Sequence, residues 1–189
     1  MKKIILLLVV LLFTNSAFAY DVPKNEEYYK SQIQNQRFLY SNRGFAGAIK
    51  MGNVPVVESF IKAGFDVNAT QGGLPLTVFA IVGNQPSTLK PLLDAGANPN
   101  ELYCGMPILF FAIDKKSSEA VQYLADHKVD VNNKYHGTTP LNYALAKKQT
   151  KTVEILLKAG AKPDEKAYKK VAKSKDEYLK DMFADAKGK

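Results

Sequence analysis

Apolar residues recur through the middle of the chain at an interval of 32 residues. Val57, Leu89, Val121 and Val153 keep one register; Phe60, Leu92, Leu124 and Leu156 keep a second; Ile61, Leu93, Ala125 and Leu157 a third. Small residues hold their own places, with Ala48, Ala80, Ala112 and Ala144 in one and Gly73, Gly105 and Gly137 in another. Gly64, Gly96 and Gly160 share a further register, interrupted by Lys128. The polar positions follow the same period, as Asn68, Asn100, Asn132 and then Asp164. In-phase copies of this kind, with no gap between them, mark a repeat architecture.

Each copy predicts two short helices and a turn. In the fourth, Pro140-Leu141 opens an inner helix with Leu141, Ala144 and Leu145 on one face. The alanine keeps room for a neighbouring helix, because a larger side chain there would force the repeats apart. Thr150 is expected to cap the outer helix, where Val153, Leu156 and Leu157 form one apolar stripe. Gly160 ends it, since a residue without a Cβ takes the left-handed conformation at low cost. The polar stretch from Asn132 to Gly137 reads as a hairpin finger. Neither helix is long enough to be stable alone, so the copies must stack. The expected fold is therefore all-α, a solenoid held by contacts between neighbouring repeats.

The ends differ from the middle. Met1-Lys2-Lys3, the apolar run Ile4 to Phe13 and Ala17-Phe18-Ala19 have the order of an export signal, predicting a signal peptide over 1–19 with cleavage ahead of Tyr20. The apolar run is shorter than the roughly 18–20 residues that span a bilayer. Residues 20–40 are expected to form an N-terminal capping segment, with Asn25 to Gln34 as the outer helix of a degenerate copy. Four repeats then fill 41–72, 73–104, 105–136 and 137–164, and 165–189 form a C-terminal helical cap and tail. In that cap, Ala167, Tyr168, Val171 and Ala172 suggest one helix and Tyr178, Leu179, Met182 and Phe183 another. Polar-faced ends of this sort keep a solenoid soluble.

The run Gly137-Thr138-Thr139-Pro140-Leu141-Asn142-Tyr143-Ala144, followed by Val153 to Ala161, resembles the ankyrin repeat. Leu92 to Asn100 and Phe60 to Asn68 look like the same helix end and finger approach. The resemblance covers Ser41 to Asp164, with departures. The period is one residue shorter than the usual ankyrin length, and the missing residue falls in the finger. Asn142 stands at the histidine of the familiar opening, and proline is displaced by one in Leu74-Pro75-Leu76 and Met106-Pro107-Ile108. Lys128 in place of the helix-stopping glycine should cost about 1 kcal/mol if the left-handed geometry is kept. Pro91 sits inside the second outer helix and predicts local irregularity in the middle of the stack.

Charge and chemistry change this picture little. The formal net charge of +8 becomes about +6 without Lys2 and Lys3. Its densest cluster, Lys166, Lys169, Lys170, Lys173 and Lys175, is interleaved with acids and reads as a solvated helix face rather than a nucleic-acid or membrane patch. No nucleic-acid partner, cofactor or metal is expected, nor any membrane contact after signal cleavage. A monomer is expected in isolation. The lone Cys104 cannot form a disulfide within the chain. His127 and His136 occupy different structural positions, and Gly72-Gly73 lacks the continuation of a phosphate loop. No catalytic constellation emerges, although a redox role for Cys104 remains the competing class.

The resemblance to ankyrin repeats implies a concave binding face made by the finger tips and the exposed side of the inner helices. Carried onto this chain, it comprises Gln71, Leu74, Tyr103, Met106, Tyr135, His136 and Thr138 on the fingers, and Asp114, Lys115 and Lys147 on the inner helices. Tyr103 and Tyr135 are the leading anchors, since tyrosine is enriched at interface centres; alternatively they pack on the neighbouring finger and stiffen it. Phe110 and Phe111 either extend an apolar groove or belong to the core. Lys115, Lys116 and Lys147 are placed to steer an acidic partner or are simply solvated. The expected function is recognition of another protein after export, with the periplasm the expected compartment. Candidate roles are an inhibitor or immunity protein, a helper of a periplasmic or oxidative-stress enzyme, and a host-directed effector.

Overall fold

The computed structural model describes residues 24–187; the expected signal peptide lies outside the described residues. Helices run in pairs: α2 (Asn42–Lys50) with α3 (Val54–Lys62), α4 (Leu76–Val82) with α5 (Pro86–Asp94), α6 (Ile108–Asp114) with α7 (Ser118–Asp126), and α8 (Pro140–Ala146) with α9 (Thr150–Lys158). A single helix, α1 (Glu26–Asn35), precedes them, and the pair α10 (Glu165–Ala172) and α11 (Glu177–Lys187) follows. The even-numbered helices pack in one inner row and the odd-numbered ones in an outer row, each against the next along the stack. α1 packs on α3, the place of an outer helix, and buries Ile33 completely.

Local chemistry sets the helix starts. Ser41, Asn53, Ser117, Thr139 and Asp164 each accept a backbone N–H from the first turn that follows, satisfying a donor with no partner inside the helix. The expected cap at Thr150 is not formed. Thr150 is the first helical residue and donates to Asp176 Oδ2 at 3.1 Å. Gln149 holds the cap position without a cap bond; its amide reaches back to the Ile113 carbonyl at 2.7 Å.

Left-handed residues recur with the repeat. Gly64, Gly96, Lys128 and Gly160 have φ of 77°, 92°, 61° and 90° at the ends of the outer helices. Lys128 thus keeps the geometry glycine would favour and carries the strain of its Cβ. A second register, unnoticed in the sequence, joins inner to outer helix at Gly52, Asn84, Lys116 and Lys148, with φ of 76°, 54°, 57° and 57°.

The irregularity expected at Pro91 does not shorten its helix. α5 has 9 residues, as do α3, α7 and α9. Ser87, whose carbonyl loses its helical donor, is exposed, so water can replace that bond.

The core runs the length of the stack. Ala48, Ala80, Ala112 and Ala144 are all fully buried, as the close approach of neighbouring helices requires. The asparagines join one repeat to the next. Asn68 Oδ1 accepts the Asn98 amide, Asn100 Oδ1 that of Asp130, and Asn132 Oδ1 that of Lys162, at 2.9, 3.0 and 2.9 Å. Asn68 and Asn132 also donate to the carbonyls of Gly96 and Gly160, each at 3.2 Å.

Candidate protein-binding face

Three fingers project ahead of α4, α6 and α8. The first pairs β1 (Thr70–Gln71) with β2 (Leu74–Pro75), and the second pairs β3 (Leu102–Tyr103) with β4 (Met106–Pro107). The third is reduced to the bridge between Tyr135 and Thr138, closed by reciprocal 3.0 Å backbone bonds. Each turns on two residues with positive φ: Gly72 and Gly73, Cys104 and Gly105, His136 and Gly137. Two-residue turns of that geometry match the twist of a hairpin. Cys104 and His136 hold a conformation that costs a non-glycine residue free energy. The shortened period is accommodated in these tight tips.

The fingers carry Tyr103 and Tyr135 onto the inner row rather than onto each other. The Tyr103 ring lies 4.3 Å from that of Phe111, and Tyr135 lies 5.5 Å from Phe110. Both tyrosines remain half-buried, so each has one side on the core and another available. Phe110 and Phe111 are 1% and 6% exposed. They do not extend an open groove; they are the floor on which the tyrosines rest. Gln71, Leu74, Met106 and Thr138 are half-buried beside the tips, and His136 is exposed with its ring 4.2 Å from that of Tyr135.

Asp114, Lys115 and Lys147 stand exposed at the far ends of α6 and α8, one helix length from the tips. Asp114 accepts from Lys147 Nζ at 2.7 Å and from the Tyr143 hydroxyl at 3.0 Å, tying neighbouring inner helices together. The ammonium, and then the phenol, hold the Asp114 carboxyl below the usual carboxylate range, while Asp114 raises Lys147. Lys147 is therefore already engaged within the chain. Lys115 Nζ lies 5.4 Å from the Phe111 ring centre, a cation–π placement.

Two aromatic residues of this face escaped the sequence reading. Phe79 and Tyr143 share a register with Phe111 and are half-buried on the inner row. The Gly47, Phe79, Phe111, Tyr143 series would have exposed them. Elsewhere, Cys104 is exposed at its tip. His127 belongs to the outer row, its ring nitrogens 2.7 Å from the Tyr123 carbonyl and 2.9 Å from Asp94. Among the described residues no helix is long and apolar enough to cross a membrane.

Helix pairs in two rows, short fingers ahead of the inner helices and a bonded asparagine at each junction define a helical-repeat solenoid. The sequence model of ankyrin repeats matches residues 76–167, in three copies, and this part of the chain is an array of ankyrin repeats. Such repeats are in general protein–protein interaction modules and typically carry no catalysis. No curated protein matches the chain.

Proposed function

We propose that this protein is exported to the periplasm and binds one protein partner through its finger tips and inner-helix face, as an inhibitor or immunity protein or as a helper of a periplasmic or stress-related enzyme. The pattern of Met1 to Ala19 supports export. The observation that carries the binding reading is the placement of Tyr103 and Tyr135, half-buried at finger ends on a fixed floor of Phe111 and Phe110. Aromatic side chains held in this way lose little rotamer freedom on docking, which is what makes an interface anchor effective. Met106, Phe79 and Tyr143 continue the same surface.

Affinity capture from periplasm with the mature chain as bait, followed by titration of the recovered partner, tests this reading. Tyr103→Ala with Tyr135→Ala should weaken binding by at least about 30-fold, the scale of a single hot spot, while helical content is retained. Full affinity in that double variant would overturn the proposed site. Cys104→Ser should bind as the parent does; loss there would point to the thiol instead.

A further inference from the structure

A second charged surface lies away from the fingers, along the turns that lead from inner to outer helices. The turn after α8 donates from Gln149 Nε2 to the Ile113 carbonyl at 2.7 Å, and Thr150 Oγ1 donates to Asp176 at 3.1 Å. These two bonds align the turns after α6, α8 and α10 on one edge. Lys115, Lys116, Lys148, Lys170, Lys173 and Lys175 crowd there, exposed and in no ion pair among the described residues. Of the acids nearby, Asp114 is paired with Lys147, and Asp176 accepts from Thr150 and the Leu179 amide, neutral donors that leave one negative charge among these lysines. Between the last repeat and α10–α11 the edge opens into a groove of about 500 Å³. Lys148, Lys170, Lys173 and Lys175 line it above Leu145, Val153, Val171 and Leu179. Sequence alone reads the C-terminal lysines as a solvated helix face, but folding gathers them with Lys148 around a recess.

We propose that this groove is a second docking site, for an acidic segment of a protein partner whose carboxylates meet the lysine rim and whose apolar side chain enters between the lysine stems. Unpaired like charges around a recess raise the local concentration of an opposite charge and orient it. A protein segment fits better than the other polyanions. No aromatic residue lines the groove on which a nucleic-acid base would stack. Its apolar residues are recessed, whereas membrane binding by a protein surface uses apolar side chains that enter the acyl boundary.

The test uses the mature chain and a fluorescent peptide repeating Glu-Glu-Leu, compared with a Glu-Glu-Ser peptide, phosphatidylglycerol vesicles and a single-stranded oligonucleotide. The leucine peptide should bind at least about tenfold more tightly than the serine peptide, with affinity falling as salt rises. The exposed-residue variant Lys148→Gln, Lys173→Gln, Lys175→Gln should lose about tenfold or more of that affinity with its melting curve unchanged. A single Lys50→Gln control, on the same kind of turn at the other end of the stack, should not. The Tyr103→Ala, Tyr135→Ala variant should bind the peptide normally, which separates this site from the finger face. No peptide binding, equal binding of the two peptides, or full binding by the triple variant would overturn the proposal. Preferential binding of vesicles or oligonucleotide through the same lysines would overturn its choice of partner.

Discussion

Neighbouring inner helices meet differently at the two ends of the stack. Where the ends of α2 and α4 meet, backbone lies against Gly83: a Cβ added there would run into the Lys50 carbonyl and lie 3.0 Å from its Cα. Phe45 and Phe60 of the first repeat are turned inward, stacked at 4.6 Å and fully buried, with Tyr40 and Phe65 against them, while Phe79 on α4 is half-buried. Between α6 and α8 the junction is made by larger groups, Phe110 against Tyr143 at 5.4 Å and Asp114 bonded to Lys147 and Tyr143. Here aromatic rings reach the surface. The same repeat thus serves two ends: the first repeat holds its aromatic area as core, whereas the α6–α8 junction leaves part of it at the surface.

The comparison breaks first at Phe60. Phe60→Ala should cost about 3–5 kcal/mol by leaving a large cavity, whereas Tyr135→Ala should cost about 0.5–1.5 kcal/mol, the range of one surface aromatic pairing. Equal losses in urea titration would mean that Tyr135 is as much a core residue as Phe60. Next comes Gly83→Ala, which should destabilise by about 1–3 kcal/mol because backbone must move to admit the methyl group. A neutral result would show that α2 and α4 have room to separate.

The opposite sign is expected at Lys128. Lys128→Gly should stabilise by up to about 1 kcal/mol, since glycine relieves the left-handed strain, less what the unfolded chain gains in freedom. A lower melting temperature would show that the side chain contributes more than its backbone costs. The smallest effect concerns Asp114. Its carboxyl titrates below the ordinary 3.8 in the folded chain, so its contribution is fully present above that value and lost as pH falls through the depressed one. Asp114→Asn should therefore narrow the difference from the parent in acid, and an unchanged difference from neutral pH to pH 3 would show that the pairing adds nothing to stability.

Much of this fold is written in the period. Ala48, Ala80, Ala112 and Ala144 could be read because one physical demand, helix approach, admits one residue type. The turn at Gly52, Asn84, Lys116 and Lys148 escaped notice for the converse reason: three residue types tolerate the same φ there, so no column stands out. The cap of α9 was misplaced because Thr150 has the right chemistry one position too late, its hydroxyl being drawn to Asp176. The candidate face was legible in outline through Tyr103 and Tyr135, but their seats on Phe111 and Phe110 were not. Nor was the bond that occupies Lys147, formed across 33 residues with Asp114. Contacts of that kind depend on how repeats are juxtaposed, which periodicity alone leaves open.

The asparagine series also has a direction and an end. Each amide group reaches forward, toward the repeat that follows. At the fourth place stands Asp164, a carboxylate with no hydrogen to donate; it accepts from the Ala167 amide and from Asn142 instead, at 2.8 and 2.7 Å. The series therefore behaves like a polymer with a terminator. Duplicating a whole 32-residue unit upstream of Asp164 would reproduce every junction, while an insertion of another length inside a helix would leave an asparagine facing the wrong amide. Gene duplication can lengthen such a protein in whole steps, and the reach of its binding face would grow in the same increments.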